Sequence, residues 1–255
     1  MAYDNLFKFA VGTVVAGGLL TVNAMAHATV LEYEFALSNG AQSAQATFTF
    51  SDESGSNTLD IVLTNTMTTN DGPQWLTGLF FDIAGSPDLT NASVSGDMIT
   101  LDSAGNQTPF TDESPDEFWG FQQEFSAGDL PFGEQQYGLG AAGFDVFGPS
   151  DVISGSFHSL NGPPGGVLAD IPDLDVPNGF ANPNRPFFLG DVHFSFDLPD
   201  AFDIHDASVD NVAFVFGSDF GEIVLVPVPP AVALGAFGLI SLAAVGVRRK
   251  FKNTA

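Results

Sequence analysis

The chain has 255 residues and carries 31 acidic against 6 basic residues, a formal net charge of −25. That balance excludes nucleic acid and anionic lipid as partners by the usual cationic route. The absence of cysteine excludes thiol catalysis, cysteine metal sites and disulfide staples.

Residues 1–28 read as a secretory signal peptide. An apolar stretch from Phe9 to Leu20 leads to two small-x-small sites, Ala24-Met25-Ala26 and Ala26-His27-Ala28. Ala26 and Ala28 are the candidate cleavage positions, and cleavage after Ala28 is favoured because strand-like sequence starts at Thr29. The n-region is poor, with Lys8 offset by Asp4, so an uncleaved N-terminal anchor stays open as the alternative.

Residues 29–225 read as one exported domain, long enough to bury a core without disulfides. Leu31, Tyr33, Phe35 and Leu37 alternate with Glu32, Glu34 and Ala36; Phe48 and Phe50 with Thr47, Thr49 and Ser51; Leu59, Ile61 and Leu63 with Asp60, Val62 and Thr64. Period-two alternation marks strands with one face buried and one face wet. Leu76–Ile83 is nearly continuously apolar, as expected of a central strand covered on both faces. Turn chemistry separates these runs at Asn39-Gly40, Ser54-Gly55 and Asp71-Gly72-Pro73. Residues 128–148 are Gly-rich. Residues 161–186 are rich in Pro, Gly, Asn and Asp and form a long loop, with turns at Asn161-Gly162-Pro163-Pro164 and Asn178-Gly179. Val192, Phe194, Phe196 and Leu198 then alternate with His193, Ser195 and Asp197, and Val212–Phe216 is a second continuous apolar run. Short strands at this spacing predict an all-β fold, an antiparallel β-sandwich or jelly-roll-like domain.

Candidate chemistry within the domain is sparse. No Gly-x-Ser-x-Gly elbow or His-Glu-x-x-His helix occurs. His158, His193 and His205 follow no zinc-ligand spacing, and the domain reads as non-enzymatic. Calcium is the possible cofactor, since carboxylates and loop carbonyls supply the oxygens it needs. Asp170, Asp173 and Asp175 are the best candidate ligands, with Asp200, Asp203 and Asp206 second. Trp75 and Trp119 are the candidate sugar-stacking rings of an alternative reading, a carbohydrate-binding module. Glu117, Glu124 and Asp116 flank Trp119 and Phe121, the less favoured glycosidase arrangement.

The final thirty residues, 226–255, carry the most information. Val226-Pro227-Val228-Pro229-Pro230 precedes an uncharged apolar run, Ala231–Val247, and the basic stop Arg248, Arg249, Lys250 and Lys252. A run of about 17–25 apolar residues crosses a ~30 Å hydrocarbon core as a helix. The basic cluster holds its end in the cytoplasm and orients the domain outward. Pro227, Pro229 and Pro230 predict an extended, exposed segment that a processing enzyme can grip. The run is read either as a permanent single span or as a temporary anchor.

The motif Val226, Pro227, Val228, Pro229, followed by the span and the basic end, resembles the PEP-CTERM sorting signal of Gram-negative bacteria. Val228 stands where that family usually has Glu. The resemblance implies export by the Sec translocon, an inner-membrane-anchored intermediate and cleavage near the motif by an exosortase, an integral-membrane cysteine peptidase. The body is similar to a loosely defined group of exosortase-dependent surface proteins through Thr29–Tyr33, Asp60–Asn65, Leu76–Asp82, Phe118–Phe121 and Val212–Gly217. What this likeness implies is a β-rich cell-surface or extracellular-matrix protein with a structural or adhesive role in biofilm or exopolysaccharide. It carries over no catalytic residue.

Overall fold

A computed structural model of the chain describes residues 30–38, 42–52, 55–68, 75–102, 106–111, 114–125, 129–130, 133, 135–141, 146–147, 151–154, 165–170, 186–217 and 223–226. Residues 1–29 and 227–255 therefore lie outside the described residues, as do Asn39-Gly40, Asp71-Gly72-Pro73, Ser54 and most of 161–186.

The described chain is all-β. Its strands are β1 (Val30–Ser38), β2 (Ser43–Ser51), β3 (Thr58–Asn65), β4 (Leu76–Ile83), β5 (Thr90–Leu101), β6 (Gln107–Pro109), β7 (Gly120–Gln123), β8 (Tyr137–Gly140), β9 (Val167–Leu168), β10 (Phe187–Asp197), β11 (Val209–Phe216) and β12 (Ile223–Leu225). Two short 3-10 turns, Pro115–Phe118 and Ile204–Asp206, complete the described elements. The strands form one 12-stranded hydrogen-bonded sheet. Every pairing is antiparallel except β9 with β10.

The sheet has two limbs. The first runs β1-β2-β3-β10-β5-β6, and the second runs β12-β11-β4-β8-β7. The two residues of β9 join them, Val167 lying opposite both Leu76 of β4 and Phe188 of β10. Local sequence sets these pairings. Gly55 adopts φ of 79° and its N–H donates to the Asp52 carbonyl, closing the β2–β3 connection where the Ser54-Gly55 turn is expected. The β4–β5 connection turns through Gly85 at φ of 79° and Ser86 at φ of 46°. Between Phe188 and Val192 the register of β10 on β5 shifts, with Gly190 at φ of 78°. At that irregularity the opposite edge of β10 changes partner from β9 to β3.

One large cluster forms the core, from Leu31 of β1 to Val226 after β12. Rings on strands that are not hydrogen-bonded neighbours meet inside it. Phe48 of β2 lies edge-on to Phe81 of β4 at 5.0 Å between centroids, and Phe121 of β7 lies 4.8 Å from Phe196 of β10. The alternating strands bury one face, as β2 and β3 do throughout. Tyr33 and Phe35 on edge strand β1 are only half-buried. The apolar runs are covered on both faces: all of β4 but Asp82 is buried, as is Val212–Phe216. Their second face meets a smaller cluster of Phe80, Leu130, Phe147, Ala213 and Val215.

Candidate functional site

Asp170 is exposed, and a Cβ added at Gly190 would stand 4.0 Å from its Cβ, while Asp173 and Asp175 lie outside the described residues. Asp203 is occupied in capping: its carboxylate accepts from the His205 N–H at 3.0 Å at the start of the second 3-10 turn. Among the described residues no group of three or more His, Asp or Glu side chains is placed to hold a metal ion.

The two tryptophans require correction as sugar platforms. Trp119 has 0 % exposure, its ring packs edge-on to Phe194 at 4.9 Å, and its indole N–H donates to the Gly165 carbonyl at 2.9 Å. Trp75 is 9 % exposed and stacks on Phe187. Both rings spend their area on protein neighbours, and the Trp119 N–H has its partner inside, so neither offers the open face that stacking on a sugar needs. The glycosidase arrangement loses its ring with Trp119. The Asp116 carboxylate is spent on structure, accepting from the Val94 N–H at 2.5 Å and tying the first 3-10 turn to β5.

The face of the first limb turned away from the core is polar. Register places Glu34, Thr47, Val62, His193 and Ser95 side by side across five strands, and Glu32, Thr49, Asp60, Ser195 and Ser93 in the next row. Thr64 donates its hydroxyl to Asp191 at 2.6 Å beside them. Asp60, Ser93, Ser95, His193 and Ser195 line a shallow depression of about 280 Å³. Among the described residues no hydrogen bond joins the His193 imidazole to these hydroxyls. Nucleophilic catalysis needs that bond and a donor pair for the developing oxyanion. Sequence reasoning missed Ser93 and Ser95 because Thr90–Gly96 is small and polar; the weak Ser93-Val94-Ser95 alternation was the signal available.

No protein-family model and no curated protein matches this chain.

Two tyrosine hydroxyls donate to backbone carbonyls of distant segments. Tyr137 donates to the Pro87 carbonyl at 2.6 Å. Burial pushes its ionisation far above the ordinary value of 10.0, and Asp88, Asp82 and Glu124 add to the shift. Tyr33 donates to the Ala207 carbonyl at 2.5 Å and is raised by burial and then by Asp210. Neither phenol reaches the polar depression, and both serve as struts between segments far apart in sequence.

Among the described residues the last strand, β12, runs up to the Pro-rich segment that opens at Val226. β12 pairs with β11 through Ala213 with Leu225, Phe214 with Val224 and Val215 with Ile223. The Val226 N–H donates to the Val212 carbonyl at 2.8 Å, and the Val226 side chain is 6 % exposed within the main core. Pro227, Val228 and Pro229 lie outside the described residues, as do Arg248, Arg249, Lys250, Ala26 and Ala28. Among the described residues no helix is long and apolar enough to cross a membrane.

Proposed function

We propose that this chain is a non-enzymatic exported cell-surface or extracellular-matrix protein, anchored briefly in the inner membrane and processed by an exosortase. The observation that carries the reading is the tail: a Pro motif at 226–230, an uncharged apolar run at 231–247 and a basic stop, in that order. The charge distribution supports it. Of the six basic residues, Lys8 lies in the leader segment and Arg248, Arg249, Lys250 and Lys252 in the stop. Arg185 is then the single Lys or Arg between them, so the basic residues serve topology and leave the domain anionic. Such a domain stays soluble and self-repelling, suited to a hydrated matrix.

The domain itself we read as a β-sandwich of jelly-roll type, its two limbs packed face to face. The cross-limb ring pairs Phe48–Phe81 and Phe121–Phe196 support that reading. The polar face of the first limb then points outward, a hydroxyl- and carboxylate-bearing surface for the structural or adhesive role in exopolysaccharide.

The test is fractionation of cells expressing the full chain. Wild type is expected at the cell surface or in the medium. Replacing Arg248, Arg249, Lys250 and Lys252 with Ser is expected to leave an unprocessed chain that is no longer retained and sorted. Unchanged surface delivery of that variant would refute the sorting role.

A further inference from the structure

We propose that the open side of β1 is a pairing surface for β1 of a second copy of this chain. The inference goes beyond the reading above and does not depend on the tail.

Register decides which way the β1 backbone points. In an antiparallel pair, opposed residues alternate between those that exchange hydrogen bonds and those that do not. The Thr66 N–H donates to the Ser43 carbonyl, so Ser43 and every second residue of β2 after it turn their amides toward β3. Ala44, Ala46, Phe48 and Phe50 then turn theirs toward β1, where they stand opposite Leu37, Phe35, Tyr33 and Leu31. The alternate residues of β1, Val30, Glu32, Glu34, Ala36 and Ser38, therefore direct N–H and C=O away from β2. Among the described residues β1 pairs with β2 alone, so that side of the strand is open.

The other edges differ. β1 runs for nine residues with no proline and no register shift. β6 and β12 have three residues each, and β6 ends in Pro109. On β7 the Phe121 N–H is taken by the Asp151 carbonyl. A long, regular edge with unpaired amides is a template for another strand. Tyr33, Phe35 and Ala36 are half-buried at this edge, whereas Ala46 and Phe48 beside them on β2 are fully buried. One more strand would cover them in the same way.

The side chains select a second copy and fix its register. Outward amides must meet outward amides, so Glu32, Glu34, Ala36 and Ser38 face the same set on the other copy. Antiparallel pairing about a twofold axis at Phe35 sets Glu34 opposite Ala36 and Glu32 opposite Ser38. Phe35 then meets Phe35, and Tyr33 meets Leu37. Residues 32–38 all pair, and each carboxylate faces a small side chain. Moving the axis to Glu34 sets Glu34 against Glu34, and moving it to Tyr33 sets Glu32 against Glu34. Like charges directly opposite each other destabilise a strand pair, which disfavours both alternatives. The contact is isologous and closes at two copies. The two Glu34 carboxylates stay diagonal neighbours in an acidic domain, so salt strengthens the pairing.

The experiment is oxidative cross-linking of the full chain, which has no cysteine of its own. Phe35 opposes itself as a non-hydrogen-bonded pair, with Cα atoms about 4.5 Å apart, within disulfide range. Phe35→Cys oxidised with copper phenanthroline is expected to give a covalent dimer on a non-reducing gel. Glu32→Cys, at an exposed position that opposes Ser38, is expected to give about fivefold less; random collision would favour it instead. An equal mixture of Glu32→Cys and Ser38→Cys chains is expected to recover the dimer, independently of any change at Phe35. The Phe35→Cys yield should rise between about 0.01 and 1 M sodium chloride, as the screening length falls from about 30 to 3 Å. Adding Ala36→Pro removes an outward N–H without breaking the β2 ladder and is expected to abolish the dimer while the melting temperature holds. Equal cross-linking of Glu32→Cys and Phe35→Cys, or a dimer that survives Ala36→Pro, would overturn the β1 contact. Monomer from Phe35→Cys and from the mixture at every salt concentration would overturn it too, and would make Glu32 and Glu34 guards that keep the edge unpaired.

Discussion

The two limbs of the sheet share one core but treat their other faces in opposite ways. On the first limb, β3 and β10 turn Asp60, Thr64, Asp191, His193 and Ser195 away from the core. On the second, β4 and β11 turn Phe80, Ala213 and Val215 the same way and cover them with Leu130 and Phe147. Alternation therefore appears where water takes one face, and continuous apolar sequence where protein takes both. The first limb thus leaves one face of β3 and β10 to solvent, and the second covers both faces of β4 and β11 with protein.

Substitutions on the two outer faces should separate them sharply. Phe80 is fully buried between Phe125 and Phe147, with centroids at 5.7 and 6.0 Å. Phe80→Ala is expected to cost about 3–5 kcal/mol in urea unfolding, as for other buried Phe truncations. Gly138→Ala comes next. A Cβ there would stand 2.6 Å from Phe80 and 2.7 Å from Phe125, so the cluster must shift, at about 1–3 kcal/mol. If either variant unfolds like wild type, the second limb's outer cover is not packed as described.

Tyr137→Phe should have a smaller effect with a distinct pH signature. Losing the hydrogen bond to the Pro87 carbonyl costs about 1 kcal/mol near neutral pH. The folded chain keeps the phenolic proton above pH 10, where an unfolded tyrosine releases it. The unfolded state then binds fewer protons, so this group's contribution to stability is constant below pH 10 and declines above it. Tyr137→Phe should flatten that alkaline decline in a melting-temperature series from pH 9 to 11. An identical decline in the variant would place its cause elsewhere. Smallest of all, Thr49→Ala and Ser195→Ala on the wet face should change stability by no more than about 0.5 kcal/mol. A larger loss would mean that this face is structural.

How far the sequence revealed the fold follows the same division. β2, β3, β4, β10 and β11 were legible because their apolar periodicity is strong. β5 was not, although at 12 residues it is the longest strand among the described residues. Thr90–Gly96 is made of small polar and turn-forming residues, and its strand conformation is imposed by pairing with β10. The short strands β6, β8, β9 and β12 carry too few residues for any period, and β9 exists through its neighbours on both sides. The tryptophans misled for a related reason: composition cannot say which way a ring faces. Trp119 sits beside Gly165, where a Cβ would fall 2.8 Å from Phe118, so a close glycine contact closes the pocket around the indole. Asn65 likewise gives no sequence signal of its role: it is buried, donates to the Val167 carbonyl at 2.9 Å and ties β3 to the junction between the limbs.

The most direct test of the account is the intact mass of the surface-localised protein. Processing near the motif predicts a C-terminus close to Val226–Pro230, with the apolar run and Arg248–Lys252 gone. A mature protein that still ends at Ala255 would contradict the sorting reading and make the tail a permanent anchor.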